Sequence, residues 1–161
     1  MIHSHEYWMQ QAILLAQKAA AEDEVPVGAI VVQNNKLIAE GWNQSIQSSD
    51  PSAHAEITAI RNAGQALNNY RLIDTTMYVT LEPCSMCVGA MIHARVSRLV
   101  FGADDLKTGA TGSAINLIHD PIHNHKIEVL GGVMDAECKE LLQAFFKQKR
   151  KLKKNNNNEI I

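Results

Sequence analysis

Two short motifs contain the residues best suited to chemistry. His54 and Glu56 are two residues apart, and about thirty residues later Cys84 and Cys87 follow Pro83 with a spacing of three. One imidazole and two thiolates form a zinc-type ligand set, and three protein ligands leave the fourth tetrahedral position for water, as a catalytic zinc requires. A Cys-x-x-Cys pair alone fits redox chemistry as well as metal binding. The histidine and both cysteines are therefore predicted to bind one zinc ion, with Glu56 as the catalytic group that carries protons.

The spacing of His54 and Glu56 restricts where a helix can begin. Residues i and i+2 of a regular helix do not share a face, so both can reach one metal site only if a helix begins there and the pocket wraps round its end. Glu82 is a second carboxylate near the cysteines, and we expect it to order a loop or a ligand rather than to carry protons. Cys138 lies in register with apolar residues of a predicted helix, so we interpret it as a core residue rather than a fourth ligand.

Hydrophobic periodicity and turn signals predict the elements that position these motifs. Ser4 is a candidate N-cap for the first helix, and Asn34-Asn35 between two apolar runs indicates a β-hairpin, because asparagine tolerates positive φ. The predicted helices are 4–22, 52–67, 84–94, a short one at 114–118, and 135–152, and the predicted strands are 27–32, 37–42, 77–81, 98–101 and 127–130. This order predicts an α/β domain with a mixed five-stranded sheet covered by helices.

Length and composition exclude several classes of protein. The chain has 161 residues, enough for one domain, and a hydrophobic fraction of 46% with a charged fraction of 20% excludes wholesale disorder. No apolar run approaches the roughly 18 residues of a membrane span, and no secretory signal is visible, so we expect a cytoplasmic protein without membrane contact. The asparagine run near the end predicts a folded domain at 1–154 followed by a disordered tail at 155–161.

Charge is distributed unevenly along the chain. Residues 1–146 contain nine Lys and Arg against sixteen Asp and Glu, whereas residues 147–161 contain six against one. A basic tail on an acidic body fits nucleic-acid binding and fits equally well a solvated helix end whose cations complement the helix dipole. Phe145 is in register with the predicted core, so the adjacent Phe146 is our candidate for stacking on a base.

Motifs along nearly the whole chain, about residues 5–150, resemble those of the bacterial tRNA-specific adenosine deaminases, a family of the zinc-dependent cytidine/deoxycytidylate deaminase-like superfamily. The matching segments are Val25–Ala29, Gly41–Asn43, His54–Glu56, Tyr70–Leu72, Leu81–Cys84, Gly89–His93 and Lys107–Ala110. The resemblance implies a three-layer α-β-α cytidine deaminase-like fold and a homodimer. It also implies that the substrate is a tRNA anticodon loop, whose wobble adenosine is hydrolysed to inosine with one Zn²⁺ per chain as cofactor.

The resemblance also implies roles for individual residues. Water activated by zinc attacks C6 of the adenine, and Glu56 shuttles protons to the ring nitrogen and the departing amine. A base is needed because two thiolates offset the charge of Zn²⁺, so the water is acidified less than at an all-imidazole site. Asn43 is expected to contact the base and ribose, and Ala55 to offer backbone groups to the purine edge. Asp105 lies in a loop that approaches the RNA, where it could accept a hydrogen bond from a ribose 2′-OH.

Two other functions use the same motifs. A small-molecule deaminase acting on guanine, cytosine or a free nucleoside shares both metal motifs but has less need of a basic C-terminal helix. A zinc-stabilised binding module without catalysis needs four protein ligands, which this sequence does not obviously provide, and leaves Glu56 without a role.

Overall fold

The computed structural model describes residues 1–159, which form a five-stranded sheet and four helices. The elements in chain order are α1 (His5–Ala21), β1 (Gly28–Gln33), β2 (Lys36–Trp42), α2 (Ala55–Leu67), β3 (Thr75–Leu81), α3 (Ser85–His93), β4 (Arg98–Ala103), β5 (Glu128–Leu130) and α4 (Asp135–Glu159). The strand order is β2-β1-β3-β4-β5. Strand β1 is antiparallel to β2 and β3, whereas β3, β4 and β5 are parallel, so the sheet is mixed as predicted.

Two separate apolar clusters divide the molecule into three layers. Along β1, Ile30 and Val32 pack with α1 and Cys138 of α4, while Ala29 and Val31 pack with α2 and α3. Successive side chains of a strand point to opposite faces, so one strand supplies both clusters. The predicted three-layer α-β-α arrangement is therefore confirmed. Within the described chain, no helix combines the length and the apolar character needed to cross a membrane.

Several local signals act as expected. Ser4 is the N-cap of α1, and its hydroxyl accepts the backbone N–H of Tyr7. Asn34 and Asn35 have φ values of 51° and 57° at the tip of the β1–β2 hairpin. On β2, a Cβ at Gly41 would lie 2.4 Å from the carbonyl oxygen of Ala55. Only glycine therefore lets α2 approach β2 this closely.

The structure corrects several predicted boundaries and one predicted element. Strand β3 begins at Thr75 rather than at 77, and β4 ends at Ala103 rather than at 101. Helices α2 and α3 begin at Ala55 and Ser85 rather than at 52 and 84, and α4 continues to Glu159 rather than 152. The predicted short helix at 114–118 is wrong, because this region forms turns and an isolated bridge between Thr111 and Asn116. Residues 155–158 are helical and exposed. The disordered tail at 155–161 stays a prediction, and its residues 160 and 161 lie outside the described chain.

Candidate metal centre and pocket

Both metal motifs lie where a helix begins. His54 is the N-cap of α2 and Cys84 is the N-cap of α3, and both have extended backbone conformations with no side-chain capping bond. Their side chains are thus free for another partner, whereas an N-cap position is usually filled by a Ser, Thr, Asp or Asn that caps the helix. Because His54 precedes the helix and Glu56 lies in its first turn, the two residues need not share a helical face.

The three expected ligands meet with distances that suit zinc. Nδ1 of His54 lies 3.6 Å from Sγ of Cys84 and 3.5 Å from Sγ of Cys87, and the three atoms all lie within 4.8 Å of one another. Tetrahedral zinc with bonds of about 2.3 Å to sulfur and about 2.05 Å to nitrogen separates these atoms by about 3.5 Å. The residues therefore fit the metal in both ligand type and geometry.

Electrostatics in this group favour a thiolate at Cys84. The hydrogen bond with the Cys87 thiol is the largest cause that lowers the pKa of Cys84 to about 4, and His54 contributes while burial acts in the opposite direction. The same hydrogen bond, together with burial, raises the pKa of Cys87. The hydrogen bond with Cys84 raises the pKa of His54. Thiolate is the form of cysteine that binds metal.

Glu56 lies in the same pocket as the ligands and is nearly sealed from solvent. Glu56 is 4% exposed, and it lines the pocket together with His54 and Cys84. Burial raises the pKa of Glu56 above its ordinary value, because a charged carboxylate loses hydration there. A carboxylate in such surroundings accepts a proton more readily than one on the surface.

The pocket is small, and both apolar and polar side chains line it. Its volume is about 170 Å³, below the roughly 300–1,000 Å³ typical of sites for drug-sized ligands, so it suits one base rather than a whole nucleotide chain. The lining residues are Val25, Val27, Asn43, His54, Glu56, Leu81, Glu82, Cys84, Asp105 and Thr108. The valines, Leu81 and Thr108 were not predicted as site residues; the signal available for them was the Val25-Pro26-Val27 segment that leads into β1.

The expected substrate contacts fall into two groups. Asn43 and Asp105 line the pocket, and the Oδ1 atom of Asn43 accepts the hydroxyl of Ser45 at 3.0 Å. The carboxylate of Asp105 accepts two backbone N–H groups and the hydroxyl of Thr108 within its own loop. That leaves it about one free acceptor site of four.

The other two expected contacts are not part of the pocket lining. Ala55 is the first residue of α2 and is fully buried, so its expected role as a backbone contact to the purine edge stays a prediction. Phe146 lies on α4 and is 44% exposed, and its ring meets that of Phe145 edge-on at 5.5 Å. The structure therefore keeps Phe146 outside the pocket that contains the metal ligands, on a surface open to solvent.

Glu82 orders the loop that contains Asp105. Its carboxylate accepts the backbone N–H groups of Asp105, Thr111 and Ser113 and the hydroxyl of Ser113. Burial works against ionisation, but these hydrogen bonds outweigh it and hold the pKa of Glu82 below its ordinary value. A Cβ at Gly109 would lie 2.4 Å from the Glu82 carboxyl carbon, so the loop closes tightly around the carboxylate.

Replacing Glu82 with glutamine is expected to weaken this loop without ending turnover. The amide keeps one acceptor but turns an NH₂ group towards donors, which should lower the free energy of unfolding by roughly 1–3 kcal/mol. Urea denaturation measures the stability loss, and product formation measures the retained activity. Complete inactivity in a folded variant would assign Glu82 a direct chemical role.

Cys138 packs in the core on the other face of the sheet. It is 1% exposed and belongs to the cluster with α1, and burial, with nearby Glu137 and Asp135, raises the pKa of its thiol to about 12. The interpretation of Cys138 as a core residue agrees with this position.

The variant Cys138→Ala should keep one zinc per chain, because this residue is not part of the ligand group. Its stability should fall modestly, since the truncation leaves a small cavity. Metal analysis of the purified variant measures its zinc content per chain. A loss of zinc would indicate a closed structural site with four protein ligands and would remove the basis for catalysis at this metal.

Comparison with known proteins places this geometry in a family context. Residues 2–103 match the family model described as the cytidine and deoxycytidylate deaminase zinc-binding region. The tRNA-specific adenosine deaminase of Haemophilus influenzae is 52% identical over 150 residues, which are 92% of this chain and 87% of that protein.

Solved structures give the same context. One such structure comes from studies of A-to-I editing by tRNA:A34 deaminases at the wobble position of transfer RNA. It has a TM-score of 0.82 and 40% sequence identity to this chain. The match covers 84% of this chain and 99% of that chain. The guanine deaminase of Nitrosomonas europaea has a TM-score of 0.78 and 25% identity, and covers 90% of this chain and 85% of its own.

Proposed function

This chain belongs to the tRNA-specific adenosine deaminases of the zinc-dependent cytidine and deoxycytidylate deaminase family, and we propose that it hydrolyses the wobble adenosine of a tRNA anticodon to inosine. The observation that carries this proposal is the buried Glu56 beside a zinc-type ligand group in a base-sized pocket. Incubating the metal-replete protein with tRNA transcripts, and reading inosine at each adenosine, tests it. Because tRNA is the substrate, we place the reaction in the cytoplasm.

The proposed chemistry assigns proton movement to Glu56. His54, Cys84 and Cys87 would hold the zinc ion, which would supply a Lewis acid that lowers the pKa of a bound water. The carboxylate of Glu56 accepts a proton from the attacking water and delivers it to the ring nitrogen next to C6. It then assists the exocyclic amine, which departs as ammonia, so adenosine and water become inosine and ammonia. General acid–base catalysis of this kind contributes about 10²–10⁴ in rate.

The pocket residues hold the base. Val25, Val27 and Leu81 supply apolar surface for the faces of a purine. The amide of Asn43 can both donate and accept hydrogen bonds to the base and ribose. By the family resemblance, the backbone of Ala55 would contact the purine edge. Together these groups would orient C6 towards the metal centre.

Contacts at the pocket wall and beyond it would hold the rest of the RNA. Asp105 stands at the pocket wall with acceptor capacity left for a ribose 2′-OH. The exposed ring of Phe146 offers a stacking surface, and the basic end of α4 offers cations to phosphates. An ion pair between Lys149 and Asp23 ties α4 to the segment that leads into the pocket wall at Val25.

Ending the chain after Phe146 is expected to weaken RNA binding and flatten its dependence on salt. The cut removes six cations and leaves a body with a formal charge of −7. Each lost phosphate contact should reduce the log–log slope of affinity against salt by roughly 0.7–0.9. Titration of an anticodon stem-loop at several salt concentrations measures this slope. A chain ended after Lys154 is the matched control, and equal slopes for the two chains would contradict a role for these cations.

We also infer that the protein acts as a homodimer through the surface of α2 and α3. Met86 is 38% exposed in the first turn of α3, and Tyr70, just beyond α2, is 71% exposed. A Cβ at Gly89 would have nothing within 4 Å, so this side of α3 has space for a partner. Exposed apolar side chains on or next to these two helices are the basis of this inference, because a patch of such groups is typical of surfaces that bind protein.

A small-molecule deaminase is the second candidate function. The likeness to the guanine deaminase of Nitrosomonas europaea and the small volume of the pocket favour it. The basic end of α4 and the exposed Phe146 then have no role, which is why we prefer an RNA substrate.

A further inference from the structure

Glu24 is a third buried carboxylate, after Glu56 and Glu82, and it is the one to which the proposed chemistry and the Asp105 loop give no part. It is 1% exposed and precedes Val25 of the pocket wall. Its two oxygens accept the backbone N–H of Ile46 at 3.0 and 3.1 Å, and Oε2 also accepts that of Gln47 at 2.9 Å. Burying a carboxylate without a cation is costly. These backbone bonds offset the cost only while the loop keeps this conformation.

The loop that Glu24 holds leads directly from Asn43. Within this loop, Ser45 donates its hydroxyl to Oδ1 of Asn43 at 3.0 Å. The backbone N–H of Asn43 is itself bonded to the carbonyl of Val27 at 3.1 Å, so the backbone of Asn43 is fixed by the sheet. The direction of its amide depends instead on Ser45, whose neighbour Ile46 is bonded to Glu24. This chain of contacts connects a buried carboxylate to a pocket amide.

We propose that Glu24 is a positioning residue that fixes loop 44–49 and, through Ser45, the amide of Asn43 in the pocket. The consequence is a site pre-organised to hold the target base before substrate arrives. Pre-organisation of this kind matters because a displacement of about 1 Å can cost about 10²-fold in rate. The inference rests on the proposed function for the role of Asn43, but the order of the loop does not depend on it.

Hydrogen exchange of backbone amides tests the loop without any activity. In Glu24→Ala, the amides of residues 44–49 should exchange at least about tenfold faster, while those of β1 and β3 stay unchanged. Glu24→Gln should be intermediate, because an oxygen in the place of Oε2 still reaches both N–H groups. Glu22→Gln is the matched control, since that carboxylate accepts the indole N–H of Trp42 at 3.0 Å rather than the loop backbone. Unchanged exchange in Glu24→Ala overturns the proposal.

A double-mutant cycle tests the route through Asn43. With zinc content unchanged, Glu24→Ala should raise KM for an anticodon stem-loop by about tenfold and change kcat less. In an Asn43→Ala background the same change should add little, because residues acting through one another are not additive. Full additivity overturns the route, since a residue with only a structural role would have the same effect in both backgrounds. If the wild-type chain forms no inosine, the proposed function fails, and the exchange measurement still decides whether Glu24 orders the loop.

Discussion

Replacing Glu56 with alanine or glutamine should reduce turnover by about 10²–10⁴ or more, while the chain should still fold and still bind one zinc. Glu56 is not one of the three groups that meet around the metal position, so metal binding does not require it. Its carboxylate lines the same pocket as His54 and Cys84, which places it to move protons between water and base. Single-turnover inosine formation and metal analysis on the same sample measure both expectations.

Stability separates this catalytic role from a structural one. Burial raises the pKa of Glu56, because an ionised carboxylate is costly in this position. Glutamine keeps the volume and removes the charge, so the free energy of unfolding should stay equal or increase. Glu82→Gln is the natural comparison, because it should lose stability and keep part of its activity. An active Glu56→Gln beside an inactive Glu82→Gln would mean that the proton carrier is Glu82.

Features decided by nearby residues could be predicted from the sequence. Ser4 caps α1 and the Asn34-Asn35 pair forms the hairpin tip because each conformation depends on residues a few positions away. The α/β class and mixed sheet follow from the order of apolar runs. The spacing of His54, Cys84 and Cys87 predicted a ligand group whose members the structure brings together.

Features that depend on contacts between residues far apart in the chain could not be predicted from the sequence. The region 114–118 contains apolar residues at helical spacing but forms turns. The backbone N–H groups of Ala114 and Ile115 bond to the carbonyl of Gly109, and that of Leu117 bonds to the carbonyl of Ala110. Glu82, about thirty residues earlier, holds the preceding backbone at Thr111 and Ser113. No local pattern reveals that Glu24 accepts N–H groups more than twenty residues later. The pocket walls depend in the same way on where strands end. A pattern of residue types thus predicts the metal ligands well and the loops that shape the pocket poorly.

An anticodon stem-loop should be a far better substrate than free adenosine, with kcat/KM higher by at least about 100-fold. The pocket has a volume of about 170 Å³, which is room for about one base, and adenine in a stacked loop must splay out to enter it. A site of that size cannot choose one adenosine among many, so neighbouring contacts must do so. Stacking on a ring such as Phe146 supplies about 1–3 kcal/mol per base, and 100-fold requires about 2.7 kcal/mol, so one stacked base with a few phosphate contacts suffices.

The uneven charge of the chain predicts that the preference for the stem-loop depends on salt, and this dependence can be tested. The body of the chain carries a formal charge of −7 and would repel RNA, whereas residues 147–161 carry +5, so preference for the stem-loop should fall steeply as salt increases. Product formation from the stem-loop, free adenosine and guanine is compared at low and high salt, with a stem-loop lacking the wobble adenosine as the control. Equal efficiency on free adenosine or guanine, without salt-dependent RNA binding, would place this protein with the small-molecule deaminases. If activity is confined to the stem-loop and weakened by salt, the surface around the pocket must bind RNA, because the metal centre alone cannot distinguish these substrates.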